Sequence, residues 1–323
     1  MYRYVIKRVL LVIPTLIGAA ALVFVLMRLI PGDICMVRLG STGSTIDPRA
    51  LQLCHAELGV DRPLVIQFLS FVGGFFTLDF GTSMWSGKPV TTEIWARLPI
   101  SVEIAVLATV VAALIAVPLG TISALKQNTW LDVIVRVFAI GGIATPSFWI
   151  GILSILLVIK LSTALFGTPW MPPIDYVPLW EDPLRNLSIV ALPAVTIGYR
   201  YAAVSMRMTR SAMLEVLRED YIRTARAKGL VQKLIINRHA LKNALLPVVT
   251  LFGIEFAFLI GGLVVTEQVF NLNGVGRLFV QAVQNQDYAL TQALVMLTVA
   301  VFVFTNLIID LTYAWLDPRI RFS

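Results

Sequence analysis

The sequence predicts an all-α polytopic membrane protein with six transmembrane helices and both termini in the cytoplasm. Three observations lead there. Hydrophobic residues make up 58% of the 323 positions and charged residues only 14%, with a mean hydropathy of +0.82; soluble domains average roughly 45–50% apolar and about 25% charged. The apolar residues fall in blocks long enough to cross a hydrocarbon core, which takes about 20 residues of helix. Spanning backbone must satisfy its own hydrogen bonds, so those blocks are helices. Finally, Lys and Arg divide unevenly between alternate connecting segments, as they do between cytoplasmic and outer loops.

The first block, 9–27, is longer than the apolar core of a secretory signal. Gly18-Ala19-Ala20-Ala21 offers the small residues of a cleavage site, but apolar sequence continues past it, so the block reads as a retained helix. A long outer segment, 31–100, separates it from the second block. It is punctuated by Pro31-Gly32, Pro48, Gly73-Gly74, Gly81 and Gly87, and contains two pieces, 48–58 and 64–76, that can form helices. It is too long for a plain connector and too apolar for disorder, which predicts a small extracytoplasmic module leaning on the membrane. Cys35 and Cys54, the only cysteines, both lie there. An oxidising compartment favours a disulfide, whereas spacing alone is equally compatible with two unrelated small hydrophobes.

The remaining blocks are 102–125, 137–161, 187–206, 245–265 and 289–311. Pro146 interrupts the third, and Pro193 with Arg200 the fourth. Neighbouring helices re-satisfy the carbonyl that a proline frees, so each is read as one span. With the N-terminus inside, cytoplasmic segments hold 17 basic residues: Arg3, Lys7 and Arg8, then Lys126 and Arg136, ten between Arg200 and Lys242, and Arg319 with Arg321. Outer segments hold eight, nearly balanced by acids such as Asp33, Asp47, Glu57, Asp61, Asp79 and Glu93. The net charge of +7 therefore reflects topology, with the bilayer and not nucleic acid as the partner. Removing one span would place the basic residues between the fourth and fifth blocks on the outer side.

No phosphate-cradling G-x-x-x-x-G-K-[ST] segment occurs; Gly40-Ser41-Thr42-Gly43-Ser44 lacks the lysine. With His55 and His239 the only histidines, and cysteine confined to the outer segment, no catalytic or metal-ligating constellation is evident. Two acids fall within spans. Glu255, mid-helix in the fifth, is a candidate for the translocation pathway or for a hydrogen bond to a partner subunit. Asp310, near the cytoplasmic end of the sixth, reads as structural. Arg136, Lys160 and Arg200 lie near span ends, where long side chains snorkel.

The most distinctive stretch is a polar island in this oily chain. Residues 211–228 carry helix formers, with Glu219-Asp220 toward the N-terminal side and Arg223, Arg226 and Lys228 toward the C-terminal end, an order that suits the helix dipole. Gly229 is a natural stop, and a second short helix, 231–241, leads to Asn243 and Pro247 at the mouth of the fifth span. Helix–Gly–helix at the cytoplasmic face is the shape of a docking element, and the small residues Ala225, Ala227 and Gly229 would let another backbone approach. The plainer alternative is a positive-inside loop that only sets topology.

Tyr221-Ile222-Arg223-Thr224-Ala225-Arg226-Ala227-Lys228-Gly229, followed by Arg238-His239-Ala240-Leu241-Lys242-Asn243-Ala244-Leu245-Leu246-Pro247, closely resembles the EAA loop of ATP-binding-cassette importer permeases. Arg223-Thr224-Ala225 stands where the general pattern has Glu-Ala-Ala, as is usual in the dipeptide/oligopeptide/nickel branch. Glu57-Leu58-Gly59-Val60-Asp61-Arg62-Pro63-Leu64, Asp79-Phe80-Gly81-Thr82-Ser83, Arg97-Leu98-Pro99, Pro146-Ser147-Phe148-Trp149-Ile150-Gly151 and Leu316-Asp317-Pro318-Arg319-Ile320-Arg321 resemble the same branch, in the same order, along nearly the whole chain.

The resemblance implies a type I ABC importer permease fold in the cytoplasmic (inner) membrane. Residues 1–95 would hold the first helix and the extracytoplasmic module, 96–315 the permease domain with its coupling loop at about 207–244, and 316–323 a cytoplasmic tail. It implies a homologous second permease subunit, two cytoplasmic ATPase subunits that bind ATP and Mg, and an extracytoplasmic solute-binding protein. The coupling residues carried over are Arg223, Thr224, Ala225, Ala227, Gly229, Arg238, His239, Asn243 and Pro247. No catalytic residue, metal or cofactor is expected in this chain. Relatives in the branch handle dipeptides, longer peptides, glutathione or nickel chelates. A stand-alone secondary transporter is the competing reading, but no internal repeat supports it and it leaves the basic loop unexplained.

Overall fold

A computed structural model of the chain describes residues 2–29, 35–36, 39 and 47–316. The sequence assignments for 31–34, 38, 40–44 and the tail beyond 316 lie outside them. Among the described residues there is no β-strand, and six helical stretches are long and apolar enough to cross a membrane: Val5–Leu29, Val90–Leu125, Ser147–Phe166, Pro183–Val216, Gln232–Gly262 and Tyr288–Thr312.

Helix α1 (Tyr2–Leu29) leads to the outer module. Cys35 and Cys54 are joined by a disulfide with Cα atoms 5.8 Å apart, tying the segment after α1 to α2 (Pro48–Leu58). The Asp47 carboxylate caps α2 by accepting from the Arg49 N–H at 2.9 Å. Helix α3 (Leu64–Thr77) leans on the outer end of α1: the Phe24 ring meets Phe68 edge-on at 5.4 Å and Phe71 at 6.3 Å, and Arg28 donates to Gln67. The short α4 (Val90–Trp95) then feeds α5 (Leu98–Leu125).

Helix α5 is the spine. Ala105, Ala108, Ala112 and Ala116 are fully buried along one face, and Gly120 continues the stripe. Lipid gives apolar side chains no reason to leave it, so helices in membranes associate through close packing of small residues. The partner is α8 (Pro183–Val216), which contributes Ala194, Gly198, Ala202 and Ser205. At Gly120 a Cβ would sit only 2.7 Å from the Met206 carbonyl oxygen; glycine is required there by the approach of the two backbones.

The third block departs from its expected form. Helix α6 (Trp130–Ala144) returns from the basic end alongside α8, with Gly142 against Ala203 and Tyr199, and then stops. Thr145 is extended (φ −91°, ψ 125°) and α7 begins afresh at Ser147, running to Phe166. The expected continuous span 137–161 is thus two helices. The ring of Pro146 drives the preceding residue out of the α region, and Pro146 is exposed. Buried Pro193, in contrast, lies inside an unbroken α8.

Two further corrections concern the island. The expected helix 211–228 is split, because α8 ends at Val216 and α9 is a separate element, Asp220–Ala227. The expected free-standing helix 231–241 is instead the front of the fifth span: α10 (Gln232–Leu234) passes through a π-helical turn (Ile235–Ala240) into α11 (Leu241–Gly262) without interruption.

Beyond α11, α12 (Val264–Val269) and α13 (Val275–Gln284) fold over the outer end before α14 (Tyr288–Leu316) descends. The buried Glu267 carboxylate accepts from the Arg277 N–H at 2.7 Å and the Ser101 hydroxyl at 2.8 Å, so it holds the start of α13 against α5. Buried Asp287 accepts from the Ser83 hydroxyl and, at 3.1 Å, from the Leu290 N–H, joining the outer module to the start of α14. At the opposite end Arg8 and Asp310 form an ion pair at 2.9 Å between α1 and α14, the structural role expected of Asp310.

Candidate coupling surface

The basic end of the bundle carries a small, firmly built projection. Residues 217–219 leave the α8 helix, and Glu219 is extended (ψ 146°), which turns the chain so that α9 folds back beneath α8. Asp220 in its first turn and Arg226 in its last suit the dipole. The end of α9 is closed by a Schellman motif: Leu230 N–H donates to Ala225 C=O at 3.3 Å and Gly229 N–H to Arg226 C=O at 2.9 Å. The motif needs a left-handed residue, and Gly229 supplies it at φ +75°.

The underside of this projection is core. Ile222, Ala225, Ile235 and Ala240 pack with Ala124 of α5, Ala212 and Met213 of α8 and Ala244 of α11. The Asn243 amide donates to the Tyr221 hydroxyl at 2.8 Å, stapling α9 to the fifth span. Its outer side is open. Arg223, Thr224, Arg226, Ala227, Lys228 and Gly229 are exposed, and a Cβ built on Gly229 would meet nothing within 4 Å. Beside α9 lies an open cleft of about 550 Å³, lined by Ser211, Leu214, Glu215, Arg218, Asp220 and Arg223 among others.

The sequence-derived residues therefore separate into groups. Ala227 and Gly229 present a small, accessible corner, flanked by Arg223 and Thr224. Ala225 belongs to the chain's own core, where its small size serves the packing of α9 and not the approach of another chain. Asn243 is a brace, Arg238 is exposed, His239 is half-buried, and Pro247 lies within α11. Glu255 stands apart from this surface: it is buried between α11 and α8, accepting from the Ser205 hydroxyl at 3.0 Å.

Sequence reasoning missed the groups that fix this module from behind. Asp132, Ser123 and Arg210 form a buried cluster at the ends of α6, α5 and α8. In the sequence Arg210 is one of the ten basic residues between Arg200 and Lys242, with nothing to set it apart. A lone acid opening an apolar run was the available signal for Asp132, and it does not name a partner. At the far end, a cleft of about 600 Å³ gathers Arg97, Arg277, Asn271, Asn273, Asp175 and Tyr176; Arg97 and Arg277 are held by Asn273 at 3.2 Å and Asn271 at 2.9 Å.

Six spans around an α5–α8 spine, with a braced helix–glycine corner at the basic end, define a polytopic α-helical membrane protein. The family model for binding-protein-dependent transport system inner membrane components matches residues 116–322, and the model for the N-terminal region of such components matches residues 1–105. The chain belongs to that family and is a multi-pass protein of the inner membrane. Among its relatives, a protein of Brucella abortus named for peptide transport is 37% identical over the full length of both chains. The glutathione transport system permease protein of Pectobacterium atrosepticum is 38% identical and the dipeptide transport system permease protein of Alkalihalophilus pseudofirmus 36% identical, each again over both full lengths.

Proposed function

We propose that this chain is the permease subunit of an ATP-driven importer that carries peptides, di- or oligopeptides, across the cytoplasmic membrane by alternating access. In this reading α9 and the Gly229 corner sit in a groove on one of two separate ATPase subunits, which bind the ATP and Mg. A homologous second permease subunit completes the pathway, and an outer solute-binding protein delivers the cargo. The observation that carries the coupling role is the two-sided construction of α9. Its underside is continuous with the core at the ends of α5, α8 and α11, while its outer side is open at Gly229. A pull on the exposed corner would thus reach three spans at once, as a shared two-position element requires.

The names of the relatives support peptide cargo. The glutathione permease at 38% identity favours a second reading within the same class, since glutathione is itself a tripeptide.

Gly229→Trp tests the coupling role. The indole enters open space, and the left-handed backbone at φ +75° adds about 1–2 kcal/mol of strain, which insertion of six spans tolerates. The chain is expected to insert and assemble, with ATP hydrolysis continuing and uptake lost. Wild-type uptake by that variant would refute the docking role. Calorimetric titration of the cognate binding protein with dipeptides, longer peptides and glutathione tests the cargo; binding of none of them would end the peptide reading.

A further inference from the structure

Three helix ends meet at one carboxylate behind the coupling module. Asp132, in the first turn of α6, is fully covered. Its two oxygens accept from Arg210 Nε at 2.8 Å and Nη2 at 2.9 Å, from the Ser123 hydroxyl, and from the Asn128 N–H at 3.1 Å. Arg210 Nε also lies 3.0 Å from the Ser123 hydroxyl oxygen, and Arg136 Nε stands 3.6 Å from the carboxylate on the exposed side. The paired N–H bonds of a guanidinium fork fix orientation as well as distance. This cluster therefore sets how α6 is rotated and placed against α5 and α8.

Its position matters. Ser123 is followed by Ala124, and Arg210 precedes Ala212 and Met213; those three residues form the floor on which Ile222, Ala225, Ile235 and Ala240 pack. The clamp and the coupling module thus share the same two helix ends. Displacing α9 would move α8 and α5 through that floor. Along its length α6 packs on those helices through Val135, Ala139 and Gly142, but its chain links are a short turn to α5 at 126–129 and the extended Thr145-Pro146 connection to α7. The clamp is the oriented polar tie at the basic end of α6, where motion of the coupling module would arrive; apolar packing alone leaves that end freer to slide.

We propose that Asp132, Arg210 and Ser123 are positioning residues that oblige α6 to follow α5 and α8 whenever the coupling helix moves. The proposal rests on the reading of α9 as the coupling helix. Stability alone gives a weak reason for such a group, since a well-packed apolar replacement of a buried ion pair is often no less stable. Register between elements is the better-attested use of buried charge.

The test uses the assembled complex, with second permease, ATPases and binding protein, in proteoliposomes. Two variants are compared: Asp132→Asn, and Asp132→Asn combined with Arg210→Gln, which leaves only the solvent-exposed Arg136 without its carboxylate. Both are expected to retain bound ATPase and to hydrolyse ATP within about twofold of wild type, while peptide transported per ATP falls about tenfold, a typical coupling magnitude. Transport per ATP near the wild-type value in either variant would overturn the proposal. So would a deficit that vanishes in the double variant, hydrolysis and uptake that fall in parallel, or failure of both variants to assemble, since each of these describes a merely structural cluster. If the wild-type chain binds no ATPase, the coupling reading itself fails; if only the transport ratio is unmoved, that reading stands and the clamp alone falls.

Discussion

Burial penalises a charged side chain unless donors replace the lost water, and Asp132 and Glu267 stand on opposite sides of that balance. The Arg210 guanidinium, helped by Ser123 and the Asn128 N–H, holds the Asp132 carboxyl well below the usual carboxylate range against the opposing effect of burial. Burial pushes the Glu267 carboxyl up, although backbone N–H groups at the start of α13 and the Ser101 hydroxyl pull the other way. Because the folded pKa of Asp132 lies below its ordinary value of 3.8, its stabilisation is fully present above that value and is lost as pH falls through the folded pKa. Asp132 is covered but Arg210 is 22% exposed, so the loss on Asp132→Asn is nearer that of a charge-assisted hydrogen bond, about 1.5–3 kcal/mol, than that of a deep ion pair. Thermal unfolding in detergent is expected to show a constant deficit from about pH 5 to about pH 8 that narrows under stronger acid; a deficit that widened on acidification would contradict this assignment. None of it was legible in the sequence, where Asp132 and Arg210 are 78 positions apart. Cys35 and Cys54 were legible as a pair but not as a bond, since their 19-residue separation leaves their distance open until the chain has folded.

Elements were legible where apolar length defines them and illegible where packing decides. Five of the six blocks appear as single spanning helices and the third is divided at Pro146, with Ser147–Phe166 as its spanning part. Pro146 and Pro193 look alike in sequence and behave oppositely, since Pro146 is exposed and Pro193 buried within α8. The split at 217–219 and the π-helical turn at Ile235–Ala240 were equally hidden: both exist so that α9 can return onto Met213, a tertiary demand. The small residues of α5 were visible, but their partner helix was not. That partnership makes a sharp prediction. Gly120→Val places a branched side chain against the Met206 carbonyl and Thr209, where even a Cβ would sit at 2.7 Å from each. Overpacking of this kind costs about 1–3 kcal/mol, so the purified chain should lose heat resistance. Gly18→Val in α1, whose Cβ would meet nothing within 4 Å, serves as the control. Equal melting of the two variants would mean that α5 and α8 do not lie this close.

Across the whole molecule, chemistry is divided between two ends. One end holds the Arg8–Asp310 pair, the Asp132 cluster and the exposed basic α9 corner; the other holds the disulfide, the capping carboxylates Glu267 and Asp287, and the outer helices. Six spans put both termini at the basic end, and the excess of Lys and Arg there places it in the cytoplasm. The same polarity puts the only cysteine pair where thiols oxidise, two independent arguments for one orientation. In a chain with Cys35 and Cys54 replaced by Ser, closure of their loop is lost, worth ~3 kcal/mol by chain entropy, but insertion follows from the spans and is expected to persist. New single cysteines at Lys233, exposed beyond α9, and at Trp85, 74% exposed in the outer module, then report the two faces. A membrane-impermeant maleimide should modify position 85 only in spheroplasts and position 233 only in inverted vesicles. The reverse pattern would invert the topology and detach the α9 corner from any cytoplasmic ATPase, while modification of both positions from the same face would require an even number of spans between them, where the structure has three.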